Sequence, residues 1–444
     1  MRIHKALPFL LFIIFILIAG CEDFSHHEKF RRPDWLPGKL YTAVATQENI
    51  SLFAECLRLT ELDKILDVSG CWTVFAPTND AINQFLSENH YTSISEIPKD
   101  KLEQITEFHI IQNPWSLEQL KTLTTSGWRT VDDQKKTSYA YKRETIFKNP
   151  SEKYWIEKTG ARQRIILDST RSDGYKKVFT GSRKYAPISY DEYMDVNGLS
   201  SDDFRFYFGR PYERGNVYYA GAKIIRPDIF AENGFVHAVD RVVNPMPNAR
   251  EILGKAFPGE SYTLFLALVY WYYPAFKPNI TATFNQPEIR NGGDADTLWD
   301  LDYAGLAFNL HSELTGTLNN TLINHNGLFV PEDQAFRKFI DEILTIKSGF
   351  PHWHDYKSLP PDIPGFIIAQ NLKSVPLYPS SQQYKGIFRA GARYRQNEGD
   401  IIRKEFGSNC TFIGLKSYTP DRVFTSVTGP VFCRPAFSLF RQAM

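Results

Sequence analysis

The chain has 444 residues, of which 43% are hydrophobic and 23% are charged. This composition is that of an ordinary globular protein, and it excludes a disordered chain, a collagen-like fibre and a coiled coil. With 51 basic and 50 acidic residues the chain has no basic excess, so we expect no nucleic-acid partner. At roughly 150 residues per domain, the length predicts two or three domains.

The N-terminus predicts export and a lipid anchor. Arg2 and Lys5 precede an unbroken apolar run from Phe9 to Ile18, which is short for a membrane span and typical of a signal peptide. The sequence Ile18–Cys21 (IAGC) resembles a bacterial lipobox. That resemblance implies cleavage after residue 20 and diacylation of Cys21, which is enough for stable anchoring. The alternative is an ordinary signal peptide followed by a chance cysteine.

The residues after the cysteine bear on localisation. Glu22 and Asp23 follow Cys21 directly and resemble a surface-export signal of some Gram-negative groups. Residues 21–38 are polar, contain two prolines and predict a tether. We therefore expect an outer-membrane lipoprotein of the cell envelope that is exposed on the cell surface, with the membrane as one partner through the anchor.

A strand–proline–helix unit follows the tether. The apolar spacing of residues 51–66 predicts an amphipathic helix, and Trp72–Pro77 predicts a buried strand. Pro77 ends the strand, and either Thr78 or Asn79 caps the next helix. The unit recurs in the second half, where a helix begins near residue 262 and the strand Asn326–Pro331 precedes an acidic helix start.

The first unit resembles the fasciclin-like domain family. Thr73–Ile82 (TVFAPTNDAI) is similar to the first signature of the family, Glu107–Ile111 to its Tyr-His segment, and Asn233–Val243 to its closing strand. The resemblance implies an α+β fold, in which each domain has a two-sheet β core of about seven strands with packed helices. It also implies that His109 and His237 are structural and form hydrogen bonds within the packed sheet.

The second half matches the family less closely. Ile367–Lys373 stands where the Tyr-His segment is expected, with Asn371 in place of the histidine. The closing strand is predicted near Val423–Phe432, where both the Asn-Gly pair and the histidine are missing. A shared Gly-x5-Pro-Asp spacing pairs residues 221–228 with residues 414–421.

These patterns give a domain map of two tandem fasciclin-like domains. An insert over residues 114–232 is expected to add hairpins to the first domain and to carry a ligand surface. The predicted segments are a signal peptide (1–20), a tether (21–38), a first domain (39–247), a divergent second domain (248–435), and a helix start that belongs to a truncated third repeat or docks back on the second domain (436–444).

The sequence carries no recognisable catalytic motif. It has no nucleophile elbow, P-loop, dinucleotide glycine fingerprint or zinc-protease helix, so we expect no enzyme and no cofactor. His352–Asp355 (HWHD) could supply two metal ligands, but the flanking prolines favour a loop. Asp294–Asp302 holds four carboxylates. It departs from the calcium-loop template, because Trp299 and Gly305 stand at the glycine and glutamate positions.

The cysteines and one aromatic run leave alternatives open. Cys56 could bond Cys71, and Cys410 could bond Cys433, in an oxidising envelope; four packed thiols are the favoured alternative. The run Tyr270–Tyr273 (YWYY) is expected to pack in the core through residues 270 and 273. An exposed aromatic such as Trp271 or Trp353 could instead stack on sugar rings.

Taken together, the sequence predicts a lipid-anchored cell-envelope protein with a non-catalytic adhesion or extracellular binding role. The ligand would be an extracellular protein or a glycan, reached alone or within an envelope protein complex. The alternative is an accessory glycan-binding lipoprotein of an outer-membrane nutrient-uptake system.

Overall fold

The computed structural model describes residues 36–439 with gaps; the residues left out of that span are 69, 125–126, 129–138, 160–161, 168–173, 180–182, 315–316, 345–354, 361, 382–397, 421, 428, 430, 432–433 and 438. The predicted signal peptide, Cys21, most of the tether, Trp353, Cys433 and most of 436–444 therefore lie outside the described residues. Within the described part of the chain, no helix combines the length and the hydropathy needed to cross a membrane.

Strands and helices alternate through both halves, which confirms the predicted α+β class. The strands are β1 (Trp72–Pro77), β2 (Ile110–Gln112), β3 (Leu123–Thr124), β4 (Gly127–Trp128), β5 (Lys142–Lys148), β6 (Glu152–Thr159), β7 (Arg162–Ile166), β8 (Tyr175–Val178), β9 (Arg183–Ser189), β10 (Tyr218–Tyr219), β11 (Ala222–Ala231), β12 (Gly234–Val239), β13 (Pro274–Pro278), β14 (Leu298–Tyr303), β15 (Asn326–Pro331), β16 (Leu372–Lys373), β17 (Ile401–Phe406) and β18 (Cys410–Leu415). The α-helices are α1 (Leu40–Ala45), α2 (Ser51–Leu59), α3 (Leu62–Val68), α4 (Asn79–Glu88), α5 (Lys99–Phe108), α6 (Leu117–Thr122), α7 (Asp191–Val196), α8 (Ser201–Phe208), α9 (Ala249–Gly254), α10 (Thr263–Tyr272), α11 (Ile280–Phe284), α12 (Pro287–Arg290), α13 (Leu318–Ile323), α14 (Asp333–Phe339), α15 (Asp362–Asn371) and α16 (Arg422–Thr425).

The first half is built on a closed barrel. Its strand order is β1-β12-β11-β10-β9-β5-β2, so the seven strands include β5 and β9 from the predicted insert. Strand β1 pairs in parallel with β12 and antiparallel with β2. Helices α1 to α5 cover one side of β1 and share a core with it, because their apolar residues belong to one cluster with Val74 and Ala76 of β1.

The second half repeats this pattern with fewer strands. In the described residues its sheet has the order β16-β15-β18-β17, four strands where about seven were expected. Strand β15 pairs in parallel with β18 and antiparallel with β16, as β1 does with β12 and β2. The antiparallel partner of each closing strand, β11 or β17, carries a shift in register. Strand β15 therefore corresponds to β1, and β18 corresponds to β12.

The same side-chain bonds fix the closing strand in both halves. The Asn233 side chain accepts a hydrogen bond from the Leu40 backbone N–H at 2.9 Å, at the start of α1. The Asn409 side chain accepts from the Ala249 backbone N–H at 2.9 Å, at the start of α9. Each asparagine thus ties the residue before the closing strand to the first helix of its own half.

A second bond joins the helices in the same way. The Asn79 Oδ1 atom accepts from the Leu52 N–H at 2.9 Å, and the Asp333 Oδ1 atom accepts from the Leu264 N–H at 2.8 Å. In each half the helix after β1 or β15 is thereby held to the start of the helix that precedes it. These bonds establish the repeat independently of sequence identity.

The predicted closing strand of the second half is wrong. Cys410–Leu415 occupies that position, whereas Arg422–Thr425, which overlaps the start of the predicted strand, is helical. The asparagine is present as Asn409, but Cys410 follows it instead of glycine, so no Asn-Gly pair marks the strand. The proposed correspondence of residues 221–228 with 414–421 is also wrong, because Gly414 lies within β18 itself.

Two local expectations are decided by backbone geometry. The helix expected over residues 51–66 is two helices, because the chain turns at Glu61, whose φ is 60°. The cap of α4 is Thr78, whose side chain accepts from the Ala81 N–H at 3.2 Å. Because Thr78 caps the helix, the Asn79 side chain can accept the hydrogen bond from the Leu52 N–H of α2.

The insert also reaches into the second half. Strands β6, β7 and β8 join β13 and β14 in a five-stranded sheet of order β13-β14-β8-β6-β7. Tyr154, Ile165 and Val178 of these strands belong to the same core cluster as the helices of the second half. The expected hairpins are present. The domain boundary at residue 247 stays a prediction, and the contacts of this sheet extend across it.

Glycine at position 234 is required by a close approach. Its φ is 157°, and a Cβ atom added there would lie 1.9 Å from the Trp72 carbonyl oxygen of the neighbouring strand.

We therefore expect Gly234→Ala to lower the free energy of unfolding by roughly 2 kcal/mol or more, measured by urea denaturation. Gly254→Ala is the control: the added Cβ meets Leu266 at an ordinary 3.7 Å, and wild-type stability or better is expected. Equal losses in both variants would contradict this account.

Candidate binding surface

His109 is a buried cross-link between three parts of the barrel. Its Nδ1 atom lies 2.7 Å from the Phe75 carbonyl oxygen, and its Nε2 atom accepts from the Val243 N–H at 2.9 Å. The carbonyl can only accept and the N–H can only donate, so the neutral Nδ1–H tautomer is fixed. Burial lowers the pKa of His109 to about 4. Both ring nitrogens are occupied, as expected of a structural histidine.

His237 is used in the same manner. Its Nε2 atom lies 2.9 Å from the Trp115 carbonyl oxygen, and its Nδ1 atom accepts from the Asp228 N–H at 3.1 Å. Burial lowers the pKa of this imidazole. The ring therefore links β12 to the segment before α6 and to the irregular part of β11, and it has no nitrogen left to act as a base.

Asn371 replaces His109 in the second half. Its side-chain amide donates to the Phe329 carbonyl, as His109 donates to the Phe75 carbonyl. Phe329 and Phe75 hold the same position in β15 and β1. The sequence expectation that Asn371 stands where the histidine does is confirmed, and its side-chain amide supplies the donor that the imidazole supplies in the first half.

The aromatic run on α10 is mostly structural. Tyr270 is buried in the core, and the Tyr272 hydroxyl donates to two backbone carbonyls of residues 356–359. The Trp271 ring has the Arg164 guanidinium 4.1 Å and the Lys357 ammonium 4.9 Å from its centroid. Its indole N–H donates to the Lys357 carbonyl at 3.0 Å. Trp271 is thus engaged by cations and is not an open platform for a sugar.

The candidate metal ligands that the structure describes have other hydrogen-bonding roles. Asp300 accepts from Asn279 at 2.7 Å, and Asp296 accepts from the Tyr175 hydroxyl at 3.2 Å. Asp355 caps a short 3-10 helix, while His352 and His354 lie outside the described residues. Among described side chains, no group of three or more His, Cys, Asp and Glu is placed to hold a metal ion.

The cysteines within the described residues are thiols. Cys56 and Cys410 are buried and Cys71 is exposed, and none of the three is bonded to another. Burial raises the pKa of the Cys56 thiol to about 12, which keeps it protonated and unreactive at neutral pH.

A buried chain of hydrogen bonds attaches the insert sheet to the second half. Tyr154 on β6 donates to Glu152 at 2.6 Å, so its oxygen accepts from the Nε2–H of His311 at 2.6 Å. The Nδ1 atom of His311 then accepts from the Tyr303 hydroxyl at 2.7 Å. Arg250 completes the chain with an ion pair to Glu152 at 2.7 Å. Burial lowers the pKa of His311 to about 3, so the ring stays neutral.

The opposite face of this sheet meets solvent. Tyr154 and Val178 point into the core, so by the alternation of strands Lys153, Trp155 and the facing residues of β8 point outward. On that side Lys153 lies directly opposite Lys177, and its ammonium is 4.3 Å from the centroid of the Tyr175 ring. This face of the sheet thus presents cations and aromatic rings together.

The comparison with known families agrees with the geometry of the first half. Residues 48–169 match the family model described as the fasciclin domain. The chain carries a fasciclin-like domain. The match starts in the short helix before α2, includes β1 and His109, and ends in the insert, while the closing strand β12 follows it in the chain. Since the second half repeats the strand pairing of the first, a two-domain fasciclin-like architecture fits the chain.

A solved structure is also similar to this chain. It is the FAS1 domain pair from the insect cell adhesion molecule fasciclin I, at 12% identity, with 86% of this chain and 96% of that chain covered and a TM-score of 0.22. A TM-score this low supports no shared arrangement, so the second fasciclin-like domain rests on the repeated hydrogen bonds. No curated protein matches the chain.

Sequence reasoning missed the solvent face of the insert sheet and the His311 chain. Residues 152–158 (EKYWIEK) do alternate around Tyr154, Ile156 and the outward Lys153, which is the signal of a half-buried strand. The partner strands could not be found, since β13 and β14 come about a hundred residues later in the second half.

Substitutions at His109 test its structural role. His109→Asn keeps the bond to the Phe75 carbonyl, as Asn371 does, but leaves the buried Val243 N–H unpaired. We expect a loss of about 1–3 kcal/mol in the free energy of unfolding. His109→Phe removes both bonds and should cost roughly twice as much. Urea denaturation at neutral pH measures both, and equal stability of the two variants would contradict the assigned bonds.

The buried imidazoles predict a fall in stability in acid. The folded pKa values of His109 and His311 lie below the unfolded value, so their contribution is complete above about pH 6.5 and is lost as the pH falls toward 4. Each histidine should contribute a slope of about 1.4 kcal/mol per pH unit in that window. Urea denaturation from pH 7 to 4.5 should show a shallower slope for His109→Asn; an unchanged slope would show that His109 is not buried and neutral.

Proposed function

We propose that this protein is a lipid-anchored protein of the bacterial cell envelope with a non-catalytic adhesion or extracellular binding role. The observation that carries the proposal is the fasciclin domain at residues 48–169, since fasciclin domains are associated with cell adhesion. The lipobox-like sequence ending at Cys21 supports the anchor, and the acidic residues that follow it support exposure on the cell surface.

The use of the histidines supports a role without catalysis. His109, His237 and His311 each have both ring nitrogens occupied by hydrogen bonds inside the protein. A general base needs a nitrogen that can reach a substrate. What these residues supply is a rigid framework, which suits a protein that presents a surface.

The tether suits presentation of that surface. Residues 21–38 form a polar segment of 18 residues, and the first described helix begins at Leu40. An extended chain of this length spans at most roughly 60 Å, so both domains can stand clear of the lipid headgroups. We assign binding to the solvent face of the five-stranded sheet, because the insert that builds it is rich in cationic and aromatic residues.

Cell attachment tests the proposal. Wild type and Cys21→Ala are expressed in a Gram-negative host, and the membrane fraction and attachment to matrix-coated surfaces and to other cells are measured. The variant loses the thiol that would be acylated, so we expect it to leave the membrane fraction and to lose attachment, while the purified variant competes with wild-type cells. Ser25→Ala in the tether is the control and should behave as wild type.

Two results would contradict the proposal. Membrane association of Cys21→Ala equal to that of wild type would exclude lipidation at this residue. Attachment by wild-type cells no greater than by cells without the protein would exclude adhesion.

A further inference from the structure

Two lysines of the insert sheet face each other, and neither forms an ion pair with a carboxylate in the described part of the chain. Lys153 on β6 and Lys177 on β8 are directly opposite in the antiparallel register, on the solvent side. Like charges in this position repel each other and destabilise a sheet. Among the described residues, neither lysine has a carboxylate oxygen within 4.0 Å.

One carboxylate lies close to the pair. Asp296 accepts the hydroxyl of Tyr175, on which the Lys153 ammonium rests, but it forms no ion pair with either lysine. Farther along the same face, Glu157 lies opposite Arg164, and Arg162 at the start of β7 adds another cation. The outward residues of β6, β7 and β8 therefore carry an excess of positive charge, and the exposed carboxylates Asp300 and Asp302 lie beyond them on the adjoining strand β14.

Aromatic rings lie between these charges. Trp155 and Tyr175 are directly opposite on β6 and β8, two residues from the lysine pair in each strand and therefore on the same face. Both rings are partly exposed. The chain of hydrogen bonds through Tyr154 and His311 holds the sheet from behind, so the face is fixed before any ligand arrives.

We propose that this face binds an acidic polysaccharide, with Lys153 and Lys177 on its carboxylate or sulfate groups and Trp155 and Tyr175 against its sugar rings. Anionic groups would remove the repulsion between the lysines, and aromatic rings offer apolar faces to the rings of sugars. The inference rests on the proposed binding role and names its ligand class. A nucleic acid fits less well, since the excess charge is confined to one face of a nearly neutral chain.

The decisive variant is Lys153→Glu. It places a carboxylate opposite Lys177, so the sheet should be at least as stable as in wild type, and a loss of binding cannot be attributed to unfolding. Lys99→Glu on α5 is the matched control, because Lys99 is also exposed and the change in net charge is the same. Urea denaturation establishes the stability of both variants.

Binding is measured on the mature chain from residue 22 onward by titration calorimetry with heparin and polygalacturonate, and with dextran as the neutral polysaccharide. We expect saturable binding to at least one acidic polymer, none to dextran, and weakening at high salt. Lys153→Glu should weaken the binding roughly fivefold or more, while Lys99→Glu should leave it within about twofold of wild type.

Three results would overturn the inference. They are no binding to either acidic polymer, equal weakening by both variants, and binding of duplex DNA or phosphatidylglycerol vesicles as tight as that of the polysaccharides. The attachment assay distinguishes a failure of the polysaccharide inference from a failure of the proposed adhesion role. Attachment that persists in cells carrying Lys153→Glu would exclude this face and leave adhesion intact, whereas wild-type cells that fail to attach would exclude the adhesion role itself.

Discussion

The parallel pairing of β1 with β12 is the constraint on which the rest of the first domain depends. Parallel neighbours cannot be joined by a tight turn, so the chain must leave β1, cover the barrel and return beside it. Asn233 secures the return by bonding the start of α1, and Gly234 allows the close approach to Trp72. The segment between β1 and β12 can vary in length, because the entropic cost of closing a loop rises only slowly with the number of residues in it. The long insert is tolerated for this reason.

The two domains make corresponding hydrogen bonds to the backbone, but they make them with different side chains. Phe75 and Phe329 each offer a carbonyl to a buried donor, which is an imidazole in one domain and an amide in the other. Thr78 and Glu332 cap corresponding helices with different side chains. A buried backbone group must be paired, but its partner need only be a donor or an acceptor of the right reach. This freedom explains how the second domain diverged without losing the arrangement.

The insert joins the two domains into one framework. Its strands β5 and β9 close the first barrel, and β6 to β8 pair with strands of the second half. Near this junction Lys184 forms ion pairs with Glu251 and Glu313 of the second half, at 2.7 and 3.8 Å. Burial raises the pKa of Glu313, and the lysine offsets part of that cost. The outward face of the shared sheet is thus held by both domains, and neither could build it alone.

In the sequence, short motifs carried the resemblance to fasciclin-like domains, and that resemblance implied the α+β class, the structural use of His109 and the place of Asn371. The sequence failed at the closing strand of the second domain, where Cys410 replaces the glycine that would have marked it. It could not decide between Thr78 and Asn79 as the helix cap, since both can accept and only the contact with α2 separates them. The pairing of β8 with β14 and the opposition of Lys153 and Lys177 were decided by tertiary structure alone, because strand partners distant in sequence leave no local trace.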